Sequence, residues 1–480
     1  MAVMKHHVRI SALSFATMLS LVPVAAVSDS VAARTEFGTC KRVGTKKSYK
    51  DRNLLCTQVG KKRVWRVEQA PKAPETTTTS TTTTSTTTST KLWTSAMTAE
   101  GGLDNCRLPD RRDPSLLDAP RSLGFPLNQS KSKAIGVVNL VLVASDFSDF
   151  VGTASELTKI EGEIQNFNTW LRFQSNGRLT ANWQFPKKWL RLPRTAGGYG
   201  VVGFNPRSHD AIVADVVAAA DPDVNYAGID EMFVYLPDSL TTSEPNRNPF
   251  DGILAQFGGS NVLTAEGEIL TIKGSGTVSQ NPQYGFKPTL WALWAHDLLH
   301  TIGIEGHNPV ESFTLESEDY TNHVMSAWNQ FLAGWMRDEQ VACIRPSDIS
   351  ARSYVDVDLV PLQLDSQGFR TAIIPITETR AIIVESHRNV GYAKNFGASG
   401  ILVYLMDTKN VLPYSQRENT ASVGSRFLDS TTVSQNQRRR VGNGRNSAIM
   451  LPNEMTSFEN VIVEFTSTGQ ADRIRLKMSG

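Results

Sequence analysis

Trp291 to His307 reads W-A-L-W-A-H-D-L-L-H-T-I-G-I-E-G-H. His296 and His300 stand four residues apart in an apolar run, so a helix here puts both imidazoles on one face, one turn apart. That spacing lets two rings reach a single metal ion. Gly303 offers a place for the helix to stop, and His307 follows just beyond the turn. A third imidazole there would complete a three-ligand zinc site with an open fourth position. Glu305 is the other nearby candidate for the third ligand. The competing explanation is a buried core helix with two hydrogen-bonded histidines. Clustering favours the metal: six of the eight histidines lie beyond residue 28, and three of those six fall between residues 296 and 307.

Asp297 occupies the place where a zinc helix of the H-E-x-x-H type carries its general base, but it is the shorter acid. The elements ahead of the pair must hold it in place. Ile135 to Val143 reads as a buried strand, with Asp146 and Asp149 at its end in turn-forming or helix-capping roles. Glu156 to Phe173 and Ser208 to Ala220 read as helices, and L-T-A-N-W-Q-F and Glu231 to Leu236 as strands. This alternation indicates an α/β layered domain over residues 93–345. Met325 precedes an apolar helix, Ala327 to Trp335, and would form a soft floor under ligating rings. Tyr320 and His323, near it, are candidates to stabilise an oxyanion, and His323 is a reserve ligand. From Tyr354 the pattern changes to short alternating strands, which predicts an antiparallel, sandwich-like β domain over residues 350–480.

The rest of the chain concerns where this body works. Lys5 and Arg9 precede an apolar stretch broken by Pro23 and followed by small residues, a secretory signal peptide over residues 1–28. Secretion into an extracellular or cell-surface setting follows, with no membrane span once that leader is cut. Four cysteines fit an oxidising compartment, and three pairings are open to them. Cys40–Cys56 as a local staple and Cys106–Cys343 as a clamp make the best structural sense. Residues 35–67 form a small basic β-hairpin module around the first pair. It resembles short cysteine-bearing modules of exported bacterial proteins, which implies a cell-wall contact, although a plain spacer is equally consistent. Residues 74–92 form a Thr/Ser-rich linker. A removable pro-segment would lie between that linker and Ile135. A net charge of +2, with dispersed basic residues, argues against nucleic acid as a partner.

Several stretches together resemble the immune inhibitor A family of secreted bacterial zinc metallopeptidases, over roughly residues 103 to 410. They are V-A-S-D-F-S-D, A-A-A-D-P-D-V-N-Y-A-G-I-D-E-M-F-V, H-D-L-L-H-T-I-G, V-M-S-A-W-N-Q-F-L-A-G-W-M and G-I-L-V-Y-L-M-D. The resemblance implies a zincin-like metallopeptidase domain, one Zn2+ per chain on His296 and His300, and Met325 as the Met-turn residue. Two departures stand out. The family has Glu where this chain has Asp297, and its third ligand, often Asp, falls where this chain has Gly306, one residue before His307.

Two functions follow. One is a secreted zinc endopeptidase acting on proteins or peptides, slowed by Asp297. The other is an inactive exported adhesion or binding protein on the same scaffold. Ca2+ on the acidic loop Glu316 to Asp319 matches no ligand spacing and reads better as a solvated turn.

Overall fold

The computed structural model describes residues 43, 45–49, 52–59, 62–67, 91–113, 121–128, 132–199, 209–239, 262–264, 266–269, 290–304, 324–394, 399–409, 425–427, 440–441, 445–446 and 449–480. The expected signal peptide, Cys40, the Thr/Ser stretch to residue 90, Glu305, His307, Glu316 to Asp319, Tyr320 and His323 lie outside these residues. The chain divides into two compact units, Met1–Thr86 and Thr87–Gly480.

In the first unit, β1 (Lys46–Tyr49), β2 (Arg52–Val59) and β3 (Lys62–Val67) pair antiparallel in the order β1-β2-β3. The expected single hairpin is therefore a three-stranded meander. Cys56 in β2 is disulfide-bonded, as expected of a sheet too small to bury a core of its own.

The second unit has mixed α/β content. Lys91 and Leu92, counted with the linker from sequence, instead run beside β11 (Val355–Leu359): Asp356 donates its N–H to Lys91 and accepts from Trp93. Helix α1 (Ser95–Gly101) leads to a short 3-10 turn, Leu103–Cys106. Then β4 (Gly136–Asp146) forms the axis of a parallel sheet. Helix α2 (Ala154–Gln174) connects β4 to β5 (Leu179–Gln184). β6 (Trp189–Arg191) and, after α3 (His209–Ala220), β7 (Glu231–Tyr235) also pair with β4. Parallel neighbours need such crossovers, and helices then cover both faces. The period-2 alternation of β4 assigns each face its own core. Val138, Leu140, Leu142 and Ala144 pack with Ile160, Phe167 and Leu171 of α2, whereas Val141 and Val143 pack with Val213, Val216 and Val217 of α3.

The strand runs to Asp146, beyond its expected end at Val143, because that carboxylate is held within the fold. It accepts from Arg191 at 2.6 and 2.9 Å and from the Gly152 N–H at 3.0 Å. Asp149 accepts from the Ala196 N–H at 3.0 Å. Both acids stabilise turns.

β8 (Val262–Thr264) and β9 (Gly267–Ile269) form a ribbon, followed by helix α4 (Leu290–Thr301) with the histidine pair and helix α5 (Ala327–Leu332). The expected run of α5 to Trp335 is cut short by Gly334, which sits at φ +71°.

Two sheets complete the unit. The first runs β10 (Val341–Cys343), β12 (Thr371–Pro375), β13 (Arg380–His387), β14 (Gly400–Asp407) and β15 (Ser425–Phe427), with β18 (Ile449–Met450) also on β14. Its β10–β12 pairing is parallel, against the all-antiparallel expectation, and β10 comes from the segment ahead of helix α6 (Pro346–Arg352). The second runs β11, β21 (Asp472–Met478), β20 (Val461–Ser467) and β19 (Met455–Phe458). Two-residue strands β16 (Arg440–Val441) and β17 (Arg445–Asn446) pair with each other. Ile382 and Val384 of β13 pack with Val463 and Ile474 of the second sheet. Their odd-numbered neighbours Ala381 and Ile383 face Trp328 and Phe331 of α5.

The stretch between linker and β4, which could serve as a removable pro-segment, contributes several described residues to the core. Trp93, Leu103, Cys106, Leu108 and Leu123 are buried, and Trp328 donates its ring N–H to the Leu123 carbonyl at 2.7 Å. Cys106 and Cys343 form the expected disulfide across 237 residues of sequence. Among the described residues, no helix is long and apolar enough to cross a membrane. Replacing Cys106 and Cys343 together with Ala should lower unfolding stability by about 2–4 kcal/mol, because the open chain regains loop entropy. Denaturant titration of the purified double variant checks this; an unchanged midpoint would contradict it.

Candidate metal centre

Helix α4 is apolar almost all the way round. Trp291, Ala292, Trp294, Ala295, Leu298 and Leu299 are all buried, as suits a helix enclosed by protein rather than lying on its surface. Trp294 packs on Trp183 and Phe233 of the parallel sheet, with ring centroids 5.6 and 5.9 Å away. Trp291 packs on Trp170 of α2 and on Tyr392, which follows β13.

A buried helix must find protein partners for its end groups. At the start, Glu163 of α2 accepts from the Trp291 N–H at 3.2 Å. At the end, Gly303 N–H reaches the His300 carbonyl at 3.1 Å and Ile304 N–H reaches Leu299 at 2.9 Å, a Schellman pair. Gly303 stands at φ +103°, and a Cβ there would lie 2.3 Å from the Asn128 carbonyl oxygen, so no other residue fits. Ser132 and Ser122 donate backbone N–H groups to the carbonyls of Thr301 and Gly303 at 3.0 and 2.7 Å. Thr301 also donates its hydroxyl to the fully buried Glu231 of β7 at 3.1 Å.

The histidines meet on the face the sequence assigns to them. Nε2 of His296 and Nε2 of His300 are 3.0 Å apart, with the rings edge to face at 83°. Nδ1 of His300 lies 3.3 Å from the Ile304 carbonyl, which can only accept, so that nitrogen carries the ring proton. The neutral ring then presents a lone pair at Nε2, toward His296. A carbonyl partner on the outer nitrogen fixes the tautomer and ring orientation of a histidine, as it does for histidines that bind metals. Among the described residues, no set of three or more His, Cys, Asp or Glu gathers to hold a metal. The pair supplies two donors, and both candidates for the third, His307 and Glu305, are outside the described residues.

Asp297, half-buried on the same helix, has its carboxyl pushed up to about 7 by the protein packed around it, against the opposing charge of Arg121.

Met325 is fully buried in the core that takes the inner face of α4. Its backbone is held on both sides. The N–H donates to Gln174 Oε1 at 3.3 Å, and the carbonyl accepts from Gln330 Nε2 at 2.9 Å. Gln330 Nε2 also reaches Gln174 Oε1 at 3.2 Å. Glu163, Glu231, Gln174 and Gln330 were not singled out from sequence. Their one signal was a polar residue at a core position of an otherwise periodic helix or strand.

Compared with models of known protein families and with curated proteins, the chain matches none.

The raised Asp297 carboxyl fixes a sign. Its ionisation is easier in the unfolded chain, so the folded protein loses stability as pH rises from about 4 through about 7. In metal-stripped protein, Asp297→Asn should therefore raise the melting temperature relative to wild type at pH 8, with the gap closing toward pH 4. Thermal scans in chelator at the two pH values test this; an equal gap at both would contradict it.

Proposed function

We propose that this chain is an exported zinc endopeptidase of the immune inhibitor A kind, with a zincin-like domain followed by a β-sandwich. The observation that carries the reading is the convergence of His296 and His300 at Nε2, with the outer nitrogen of His300 committed to the Ile304 carbonyl. The His300 lone pair and the His296 Nε2 it faces at 3.0 Å are held together by a proton or by a cation between them, and nitrogen donors at this helical spacing suit Zn2+.

His296 and His300 would hold the ion, with His307 or Glu305 as third ligand. When bound, zinc supplies Lewis-acid polarisation of a scissile carbonyl and lowers the pKa of water. Asp297 would take a proton from the attacking water and pass it to the leaving amine. Asp is one methylene shorter than Glu, so its oxygens sit about 1.5 Å further back on the same backbone. A misplacement of that order costs about 100-fold in rate. A slow enzyme results.

Purified secreted protein should hold close to one zinc, and His296→Ala or His300→Ala should abolish binding. His307→Ala should as well; full zinc in that variant, with loss in Glu305→Ala, would assign the third ligand to Glu305. Asp297→Glu should raise cleavage of a quenched-fluorescent peptide at least tenfold, while Asp297→Asn should remove activity and keep the metal. Equal background rates in all three zinc-loaded forms would sink the peptidase reading and leave an inactive binding scaffold.

A further inference from the structure

Glu385 is a fully buried carboxylate in the middle of β13, on the face that Ala381 and Ile383 turn toward α5. An isolated charge in such a place is costly unless donors surround it. Three do. Ala327 N–H, at the start of α5, donates to Oε2 at 2.7 Å, and the Tyr404 hydroxyl donates to the same oxygen at 3.1 Å. Nε2 of His387 lies 2.7 Å from Oε1.

The proton positions in this cluster follow from its outer rim. The Arg388 N–H donates to Gln363 Oε1 at 2.7 Å, which turns the Gln363 amide NH2 toward His387 Nδ1 at 2.9 Å. Nδ1 therefore accepts, and the ring N–H is on Nε2, aimed at Glu385. Tyr404 accepts from the Trp328 N–H at 3.4 Å while it donates to Glu385. Burial, with the Glu385 charge beside it, holds the Tyr404 phenol well above its usual range, so it remains a donor.

The groups so fixed are Ala327 and Trp328, two and three residues after Met325. Gln174 and Gln330 hold Met325 itself. We infer that Glu385, oriented by His387 and Gln363, is a positioning residue that sets the Met325 turn against the His296–His300 helix, so that the C-terminal sheet forms part of the metal centre. This rests on the zinc reading above. Conserving the shape of Glu385 does not conserve its role. In Glu385→Gln an amide NH2 must face either the His387 N–H or the pair from Ala327 and Tyr404, donor against donor.

The test is zinc release into excess chelator, together with the ¹³C-methyl NMR signal of Met325, assigned by Met325→Leu. Glu385→Gln should release zinc at least tenfold faster than wild type, in the range seen when groups supporting metal ligands are changed, and should shift the Met325 methyl signal. Tyr404→Phe, which leaves Glu385 two of its donors, should do both to a smaller degree and serves if the Gln variant fails to fold. Ser386→Ala is the control. Its hydroxyl faces the opposite side of the same strand and donates to Asp472 at 2.7 Å, so it perturbs β13 without touching the Met325 turn. Zinc release as fast in Ser386→Ala as in Glu385→Gln would overturn the inference, as would wild-type release and an unmoved methyl signal in folded Glu385→Gln or Tyr404→Phe. A wild type that holds no zinc would overturn the peptidase reading and this role with it; the other two outcomes overturn this role alone.

Discussion

The geometry around the histidine pair depends on one short helix being buried over most of its surface. A helix on the surface leaves its terminal N–H and C=O groups to water, but the ends of α4 are buried and their groups need protein partners. Those partners come from distant parts of the chain. Glu163 serves the first turn, Ser122 and Ser132 the carbonyls past the last, and Glu231 the closing threonine. The two imidazoles inherit their orientation from that enclosure. His300 keeps its outer nitrogen on Ile304 because the Schellman turn at Gly303 brings that carbonyl back beneath the ring.

The same economy of buried polar groups extends across the unit. Met325 is gripped through its peptide groups by two glutamines, and the residues after it by a carboxylate from another sheet. Each contact replaces water for a group that would otherwise be stranded. The charged ladder between β11 and β21 is of another kind. Arg473 with Asp358 and Arg475 with Asp356 lie toward solvent, where such pairs add little to stability.

Much of the positional framework was legible because it repeats. The i, i+4 histidines, the Gly that ends their helix, and the alternation in β4 and β13 are periodic signals, and elements of the expected type are present at each. Element ends were read less well. α5 stops at Leu332 rather than Trp335 because a glycine two residues on takes a positive φ, and sequence does not distinguish that from a tolerated helix glycine. Pairings between remote segments left no local trace. Nothing in V-A-C announces that Val341–Cys343 runs parallel to Thr371–Ile373, nor that Leu92 bridges Asp356. Glu385 was hardest of all: one acid in an apolar strand reads as a solvent-facing residue until its neighbours in space are known.

The pairing of Lys91 and Leu92 with β11, and of β11 with β21, bears on how the chain is made. The earliest residues of the second unit are laid against a strand whose own partner is synthesised more than a hundred residues later, and Cys106 waits longer still for Cys343. Contacts this far apart in sequence raise the contact order, and the loop-closure entropy falls due before they are rewarded. The parallel-sheet cores lie within residues 134–335, but the core between the two C-terminal sheets cannot be completed from the N-terminal side. Within the second sheet β11 lacks its partner until β21 is available, so the apolar inner face must wait for the last strand of the chain before it is sealed.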